Sequence, residues 1–159
     1  MALKSPNRVS SLNSIMSTTR NRSLPKEKIR VMAKLLKPLA TEIESHVAQS
    51  LGVWRMLHDE YFPFDRESVE KVIRYSVQRG VNPAGVARQL SAIIDSPDRT
   101  LGLQKLQIPS LITHGDIDPL VPVECGIANA AAIPGATLKI LEGMGIRCRF
   151  NYIHKLLRT

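Results

Sequence analysis

The sequence has few cysteines and no long apolar run. Its two cysteines, Cys125 and Cys148, are too few for a disulfide framework, which favours a reducing, cytoplasmic location. No apolar run approaches the roughly 20 residues that cross a bilayer, and the opening residues lack the apolar stretch of a secretory signal. The histidines and cysteines show no metal-ligand spacing, so we predict neither a metal site nor a cofactor. We expect a protein stabilised by its core, without membrane contact.

Acidic residues are also scarce relative to basic ones, 14 against 22, which gives a net charge of +8. Such an excess is typical of nucleic-acid-binding proteins. Its distribution argues against that function, because half of the net charge lies in the acid-free segment from Ile146 onward (Arg147, Arg149, Lys155 and Arg158). The remaining basic residues alternate with acids, as on a solvated surface, and no nucleic-acid motif accompanies them. We therefore predict no nucleic-acid partner.

Hydrophobic periodicity predicts strands at both ends of the chain. One strand is predicted within 8–17, and two more at 110–114 and 137–141. A helix at 123–132 separates the last two strands, so 110–141 is predicted to form one βαβ unit with parallel strands. The pattern indicates an α/β fold.

The middle of the chain, from Pro25 to about Ile94, has a helical period. Gly52 is a potential break in the second of four predicted helices. Asp65 is a good N-cap for the third, which Gly80 closes, and Asn82 opens the fourth. The positions predicted to lie on the buried faces are Ile29, Met32, Leu35 and Leu36, then Leu39, Ile43, Val47, Leu51 and Trp54, then Val69, Val72, Ile73 and Val77, and finally Val86, Leu90, Ile93 and Ile94.

Five short segments carry a more specific pattern. They are SIMSTT at 14–19, NPAGVARQL at 82–90, IPSLITHGDIDPLVP at 108–122, AIPGA at 132–136 and LEGMG at 141–145. Together they resemble α/β-hydrolases of the esterase kind, in the subgroup of aclacinomycin-methylesterase-like enzymes. The resemblance covers about residues 8–145 and looks like the C-terminal portion of that fold. It implies about three parallel strands and a helical cap. The implied divisions are a core strand and loop (1–24), the cap (25–97), the C-terminal core (98–145) and a non-family tail (146–159).

The resemblance implies that Asp118 is the acid of a Ser–His–Asp triad, which orients the histidine and stabilises its charged form. Asp116 is the less favoured acid, and both aspartates can instead be turn residues that bind loop amides. His114 ends the implied strand and precedes the acid, so we interpret it as structural. The remaining histidines, His46, His58 and His154, match no family base. The intact family acts on small-molecule esters.

Two departures from the family pattern concern catalysis. No Gly-x-Ser occurs anywhere, so the Gly-x-Ser-x-Gly elbow that carries the nucleophile is absent. The family's base histidine would follow Gly145, but the sequence has Ile146, and the tail after it bears no resemblance to the family. Because isoleucine codons begin AT, restoring one lost C before them would read CAT, a histidine codon. A one-base frameshift at position 146 in a degenerating gene is our hypothesis.

Three functional interpretations follow. The first is a truncated, frameshifted remnant of a carboxylic-ester hydrolase, inactive alone. The second is a non-catalytic interaction protein, or the C-terminal half of a split hydrolase that binds an N-terminal hydrolase fragment. In that case the strand near Val9 would present an open edge. The third, a basic nucleic-acid binder, is least favoured.

Overall fold

The computed structural model describes residues 2–26, 29–58 and 63–146. A short 3-10 turn at Pro6–Arg8 precedes the first strand. In chain order the elements are β1 (Leu12–Ile15), α1 (Ile29–Leu35), α2 (Ile43–Met56), α3 (Arg66–Gln78), α4 (Pro83–Ile94), α5 (Thr100–Leu103), β2 (Ser110–Gly115), α6 (Val123–Ala132) and β3 (Thr137–Leu141).

The three strands form one parallel sheet in the order β1-β2-β3. Leu12 of β1 pairs with Ser110 of β2, and Leu111 of β2 pairs with Thr137 of β3. This confirms the predicted fold class. The first strand, Leu12–Ile15, is shorter than the predicted 8–17, and the 3-10 turn at Pro6–Arg8 overlaps only the first residue of that prediction. Within the described residues, the outer edge of β1 and the outer edge of β3 are unpaired.

The core of the sheet lies under α5 and α6. Ile112 in the central strand is fully buried and packs with Leu103, Leu106, Ala132 and Ile133. β2 is buried along nearly its whole length, including the polar side chains of Ser110, Thr113 and His114, as is typical of a central parallel strand that is covered on both faces. The helix α5 was not predicted, because its four residues are too few for a periodic pattern.

A second core holds α2 and α3 together. Val47 and Leu51 of α2 pack against Val69 and Ile73 of α3, and all four side chains are buried. Asp65 caps α3 as predicted, because its carboxylate accepts a hydrogen bond from the Ser68 amide. The helix α2 continues through position 52, so the glycine there is no break.

Several predicted buried positions are wrong. Ile29, Leu36, Leu39, Ile43, Trp54, Val72, Val86, Ile93 and Ile94 are exposed. The clearest case is α4, which has a regular apolar stripe but no buried residue, and in which Val86 is 64% exposed. Periodicity identifies an apolar face without identifying a partner, and no described element covers this one. We define the α4 face by Val86, Leu90 and Ile93.

Three hydrogen bonds join the two ends of the helical region. The Arg99 amide donates to the Thr19 carbonyl, and the Arg99 guanidinium donates to the Thr18 carbonyl. The Arg20 guanidinium donates to the carbonyl of Ile94 at the end of α4. The segment that enters the helical region and the segment that leaves it are therefore hydrogen-bonded to each other. The helices of the described segments all lack the combined length and apolarity of a membrane span.

Candidate active site

The loop between β2 and α6 holds Asp118. The side chain of Asp118 has no solvent exposure. Its Oδ1 accepts hydrogen bonds from the amides of Leu120, over 2.8 Å, and Val121, over 3.0 Å. An aspartate that bonds the amides two and three residues ahead stabilises a tight turn. One carboxylate oxygen therefore shapes the loop, as the turn-residue interpretation expects.

The second carboxylate oxygen of Asp118 has a different environment. Within the described residues, the buried Oδ2 accepts no hydrogen bond. The nearest basic atom is Nε2 of His114 at 4.0 Å, which is beyond hydrogen-bonding distance. A buried acceptor without a donor costs about 1–3 kcal/mol. The turn therefore needs only one of the two oxygens, and the other is left for a donor that the described chain does not supply.

His114, at the end of β2, is fully buried. Its Nε2 lies 2.8 Å from the Val121 carbonyl oxygen. A carbonyl oxygen only accepts hydrogen bonds, so Nε2 is protonated and donates a hydrogen bond to the Val121 carbonyl. The bond joins the strand end to the far end of the acid loop. This environment fits the predicted structural role, since the proton is engaged by the backbone.

Two glycines let neighbouring elements pack closely around the end of β2, just before the acid loop. A Cβ at Gly126 of α6 would lie 2.4 Å from Nδ1 of His114, and one at Gly115 would lie 2.1 Å from the Met144 carbonyl oxygen. Real Cβ atoms do not come this close to other atoms. The end of β2, which leads into the acid loop, is therefore packed against α6 on one side and against the turn after β3 on the other.

The turn after β3 precedes the position implied for the base. The Ile117 amide donates to the Met144 carbonyl over 3.3 Å, so this turn contacts the acid loop directly. Ile146, two residues further on, carries no group that can move a proton. The predicted tail from 147 onward, with His154 and Cys148, lies outside the described residues.

The other described histidines lie in the helical region. His46 in α2 is buried, with Nδ1 3.2 Å from the Ala40 carbonyl oxygen. His58 contacts the Phe64 ring edge-on at 5.1 Å between centroids. Asp116, the less favoured acid, is exposed at the start of the loop. Across the described segments, no group of three or more histidine, cysteine, aspartate or glutamate side chains could hold a metal ion.

One polar cluster was not predicted from the sequence. Asn129 of α6 is buried, and its amide nitrogen donates to Ser17 Oγ over 2.6 Å. Ser17 is also hydrogen-bonded to Ser14 in β1. The cluster fixes α6 to the carboxyl end of β1. The only sequence signal is a polar residue within an alanine-rich apolar helix.

Comparison with known proteins supports the fold. No family model matches the chain. A stretch of 47 residues, 29% of this chain and 17% of the relative, is 47% identical to a non-heme chloroperoxidase from Kitasatospora aureofaciens. An α/β fold family hydrolase from Bacillus anthracis matches 98% of this chain and 58% of its own length, with 19% identity and a TM-score of 0.68. An esterase from Exiguobacterium antarcticum matches 98% and 59%, with 21% identity and a TM-score of 0.67.

These matches define the class of the fold. The chain has an α/β-hydrolase fold, of which it comprises three parallel strands and a set of helices. It spans a little over half the length of the solved hydrolases that it matches. This confirms the resemblance inferred from the sequence segments.

Proposed function

We propose that this chain is a carboxylic-ester hydrolase by descent and does not hydrolyse esters on its own. In this proposal Asp118 is the inherited triad acid, the nucleophile and the base are missing, and the chain is a remnant of an esterase. The intact ancestor would act on a small-molecule ester. The observation that carries the proposal is that Oδ1 of Asp118 accepts two hydrogen bonds, whereas Oδ2 accepts none from the described residues.

The geometry of Asp118 suits the role of a triad acid. Such an acid is buried and hydrogen-bonded to the base histidine, which it orients and whose positive charge it stabilises. Oδ1 is fixed by the amides of Leu120 and Val121, so the carboxylate cannot rotate freely. Oδ2 is buried and has no donor among the described residues, which supports an acid whose family histidine is absent. A purely structural turn aspartate would not require this unpaired oxygen.

The sequence supports the absence of catalysis. The Gly-x-Ser-x-Gly elbow positions the nucleophile beside backbone oxyanion donors, and none of the 159 residues belongs to such a motif. Position 146, where the base is implied, is isoleucine. Because the members of a triad act as a unit, an isolated acid retains no useful part of the rate enhancement.

A one-base frameshift at Ile146 accounts for both the missing histidine and the acid-free tail. The nucleotide sequence tests this directly. Insertion of one C before that codon is expected to restore a histidine, provided that Arg147 and Arg149 use CGN codons. A different arginine codon at either position, or reframing without a histidine, contradicts the frameshift.

Hydrolysis of p-nitrophenyl acetate tests the main proposal. We expect the purified chain to match the rate of buffer plus an inert protein, and the Asp118→Asn variant to match it as well. Turnover above this background that disappears in the Asp118→Asn variant would show a working triad and overturn the proposal. Turnover that is equal in both chains would instead reflect non-specific surface groups.

A second candidate function rests on the open edge of β1. Leu12 to Ile15 pair with β2 on one side only, and the α4 face is uncovered by described residues. An unpaired strand edge can add a further strand. This favours an interaction protein, and in its most specific form the C-terminal half of a split hydrolase that binds an N-terminal fragment.

Mixing experiments separate the two candidates. The chain is combined with a separately produced fragment that contains the Gly-x-Ser-x-Gly elbow and the strands before it, taken from a related esterase. Stable co-elution, abolished by Asn13→Pro in β1, favours the split form, because proline cannot donate a strand hydrogen bond. The control is a cooperative unfolding transition of the wild-type chain, which shows that it is folded. If the folded chain does not co-elute with the fragment, the split form is contradicted and the inactive remnant is favoured. The reducing, cytoplasmic location stays a prediction in both cases.

A further inference from the structure

The described residues that line the shallow pocket between α1 and α2 carry only positive charges. Its volume is about 360 Å³, and Arg30, Lys34, Gly52, Arg55 and Met56 line it. Three of these five residues are positively charged and none is acidic. Positions 30 and 34 are four residues apart on α1, so the two cations share one helix face, where like charges destabilise a helix by about 0.2–0.5 kcal/mol.

Among the residues that the structure describes, no side chain neutralises the charges of this pocket. No ion pair within the described segments includes Arg30, Lys34 or Arg55. The seam between α2 and α3 is different, because there Arg74 pairs with both Glu44 and Glu70 over 2.7–2.8 Å. The positive charge between α2 and α3 is therefore balanced by carboxylates, whereas the described residues between α1 and α2 carry unbalanced positive charge.

Part of the pocket is fixed in place. The ammonium group of Lys34 donates to the Gly52 carbonyl of α2 over 3.0 Å, which holds the side chain across the two helices. Arg55 lies one turn further along α2, on the side of Gly52. Two arginines and one lysine thus line one opening.

We infer that this pocket binds a phosphate group. A phosphate carries up to two negative charges and several acceptor oxygens, which match the paired donors of guanidinium groups. A single carboxylate would leave most of the positive charge uncompensated. The site is independent of the acid loop and goes beyond the proposed hydrolase ancestry. The phosphate can belong to a free phosphate ion or to a lipid headgroup, and the recognising chemistry is the same.

The sole tryptophan, Trp54, is adjacent to Arg55 and provides the readout. The full chain is titrated with inorganic phosphate at constant ionic strength, with sodium chloride as the compensating salt, and the fluorescence of Trp54 is followed. We expect a saturable change with phosphate and none with acetate. In the Arg30→Gln/Arg55→Gln double variant, affinity should fall about tenfold or more because two charge-assisted contacts are lost.

The matched control is Arg22→Gln/Arg88→Gln, which removes the same charge from two exposed sites outside the pocket. Its affinity should stay within about twofold of wild type. Equal weakening in both double variants, or a change that never saturates, would overturn the inference. Thermal unfolding of the unaltered chain gives an independent check, because phosphate should raise the midpoint above that in chloride of equal ionic strength.

Vesicles identify the source of the phosphate. Phosphatidylcholine vesicles with and without phosphatidic acid are tested by co-sedimentation with wild type and both double variants. Binding that requires phosphatidic acid and fails in the Arg30→Gln/Arg55→Gln variant supports a headgroup. Saturable binding of free phosphate without vesicle binding supports a soluble ligand. Absence of both overturns the site.

Discussion

The guanidinium group of Arg99 donates a hydrogen bond of 2.7 Å to the carbonyl oxygen of Thr18, which lies 81 residues earlier in the chain. The contact joins the segment that leaves the sheet after β1 to the segment that returns to it after α4. Because the backbone amide of Arg99 also bonds Thr19, the two segments are connected by both main chain and side chain. Arg99 thus supplies two of the three hydrogen bonds that join the two ends of the helical region.

Arg99→Ala tests this attachment. The variant keeps the amide bond to Thr19 but loses the charged donor, so the free energy of unfolding should fall by about 1.5–3 kcal/mol. Urea unfolding provides the measurement. Arg88→Ala, at an exposed site in α4, is the control and should change stability by less than about 0.5 kcal/mol. Equal effects of the two substitutions would contradict the proposed role.

Gly126→Ala tests the packing of α6 against His114 at the end of β2. The added methyl group would overlap the His114 ring, so we expect a loss of about 1–3 kcal/mol. The matched control is Gly52→Ala in α2, where the nearest side-chain atom would be 3.7 Å away. There the alanine should stabilise the helix by about 0.5–1 kcal/mol. Opposite signs in thermal unfolding are the expected result, and two stabilised variants would exclude the overlap.

Acidification should weaken the seam between α2 and α3. The hydrogen bond from Arg74 holds the pKa of Glu44 below its ordinary value of 4.5. A carboxyl whose pKa is lower in the folded state stabilises that state above its unfolded pKa, and the contribution is lost as the pH falls through the folded pKa. The effect is small because the pair is exposed.

The measurement is the thermal midpoint at about pH 6 and about pH 3. Part of the decrease in thermal midpoint between the two pH values should come from the Arg74–Glu44 pair. The midpoint of the Arg74→Met variant should therefore decrease less than that of the wild type. An identical loss in both proteins would place the pH dependence elsewhere, for example at Asp98, whose pKa is also lowered, by hydrogen bonds from Thr100.

The uncovered α4 face predicts a contrast between two valines. Val86→Gln, at a side chain that is 64% exposed, should leave stability within about 0.5 kcal/mol and reduce self-association. Val69→Gln, at a side chain that is 3% exposed in the α2–α3 core, should cost about 2–4 kcal/mol, since it buries an amide. Denaturant unfolding and light scattering measure the two effects. A comparable loss of stability in both variants would mean that the α4 face is covered in solution.

The sequence predicted the sheet better than the helical region. The bounds of α6 and β3 agree with the prediction because strong turn residues, Pro122 and Gly135, flank them. The buried faces of α1 and α4 were wrong because periodicity reports amphipathicity and not which side finds a partner. The unpaired Oδ2 of Asp118 could not be predicted, since it depends on donors that come from distant parts of the chain.

The hydrogen bond from His114 to Val121 has an evolutionary consequence. It holds the Asp118 loop in shape without any contribution from a nucleophile or a base. We therefore expect the shape of this loop to depend on the packing of β2 and not on any reaction. Selection for folding alone would then preserve the shape of the loop, whether or not Asp118 takes part in a reaction.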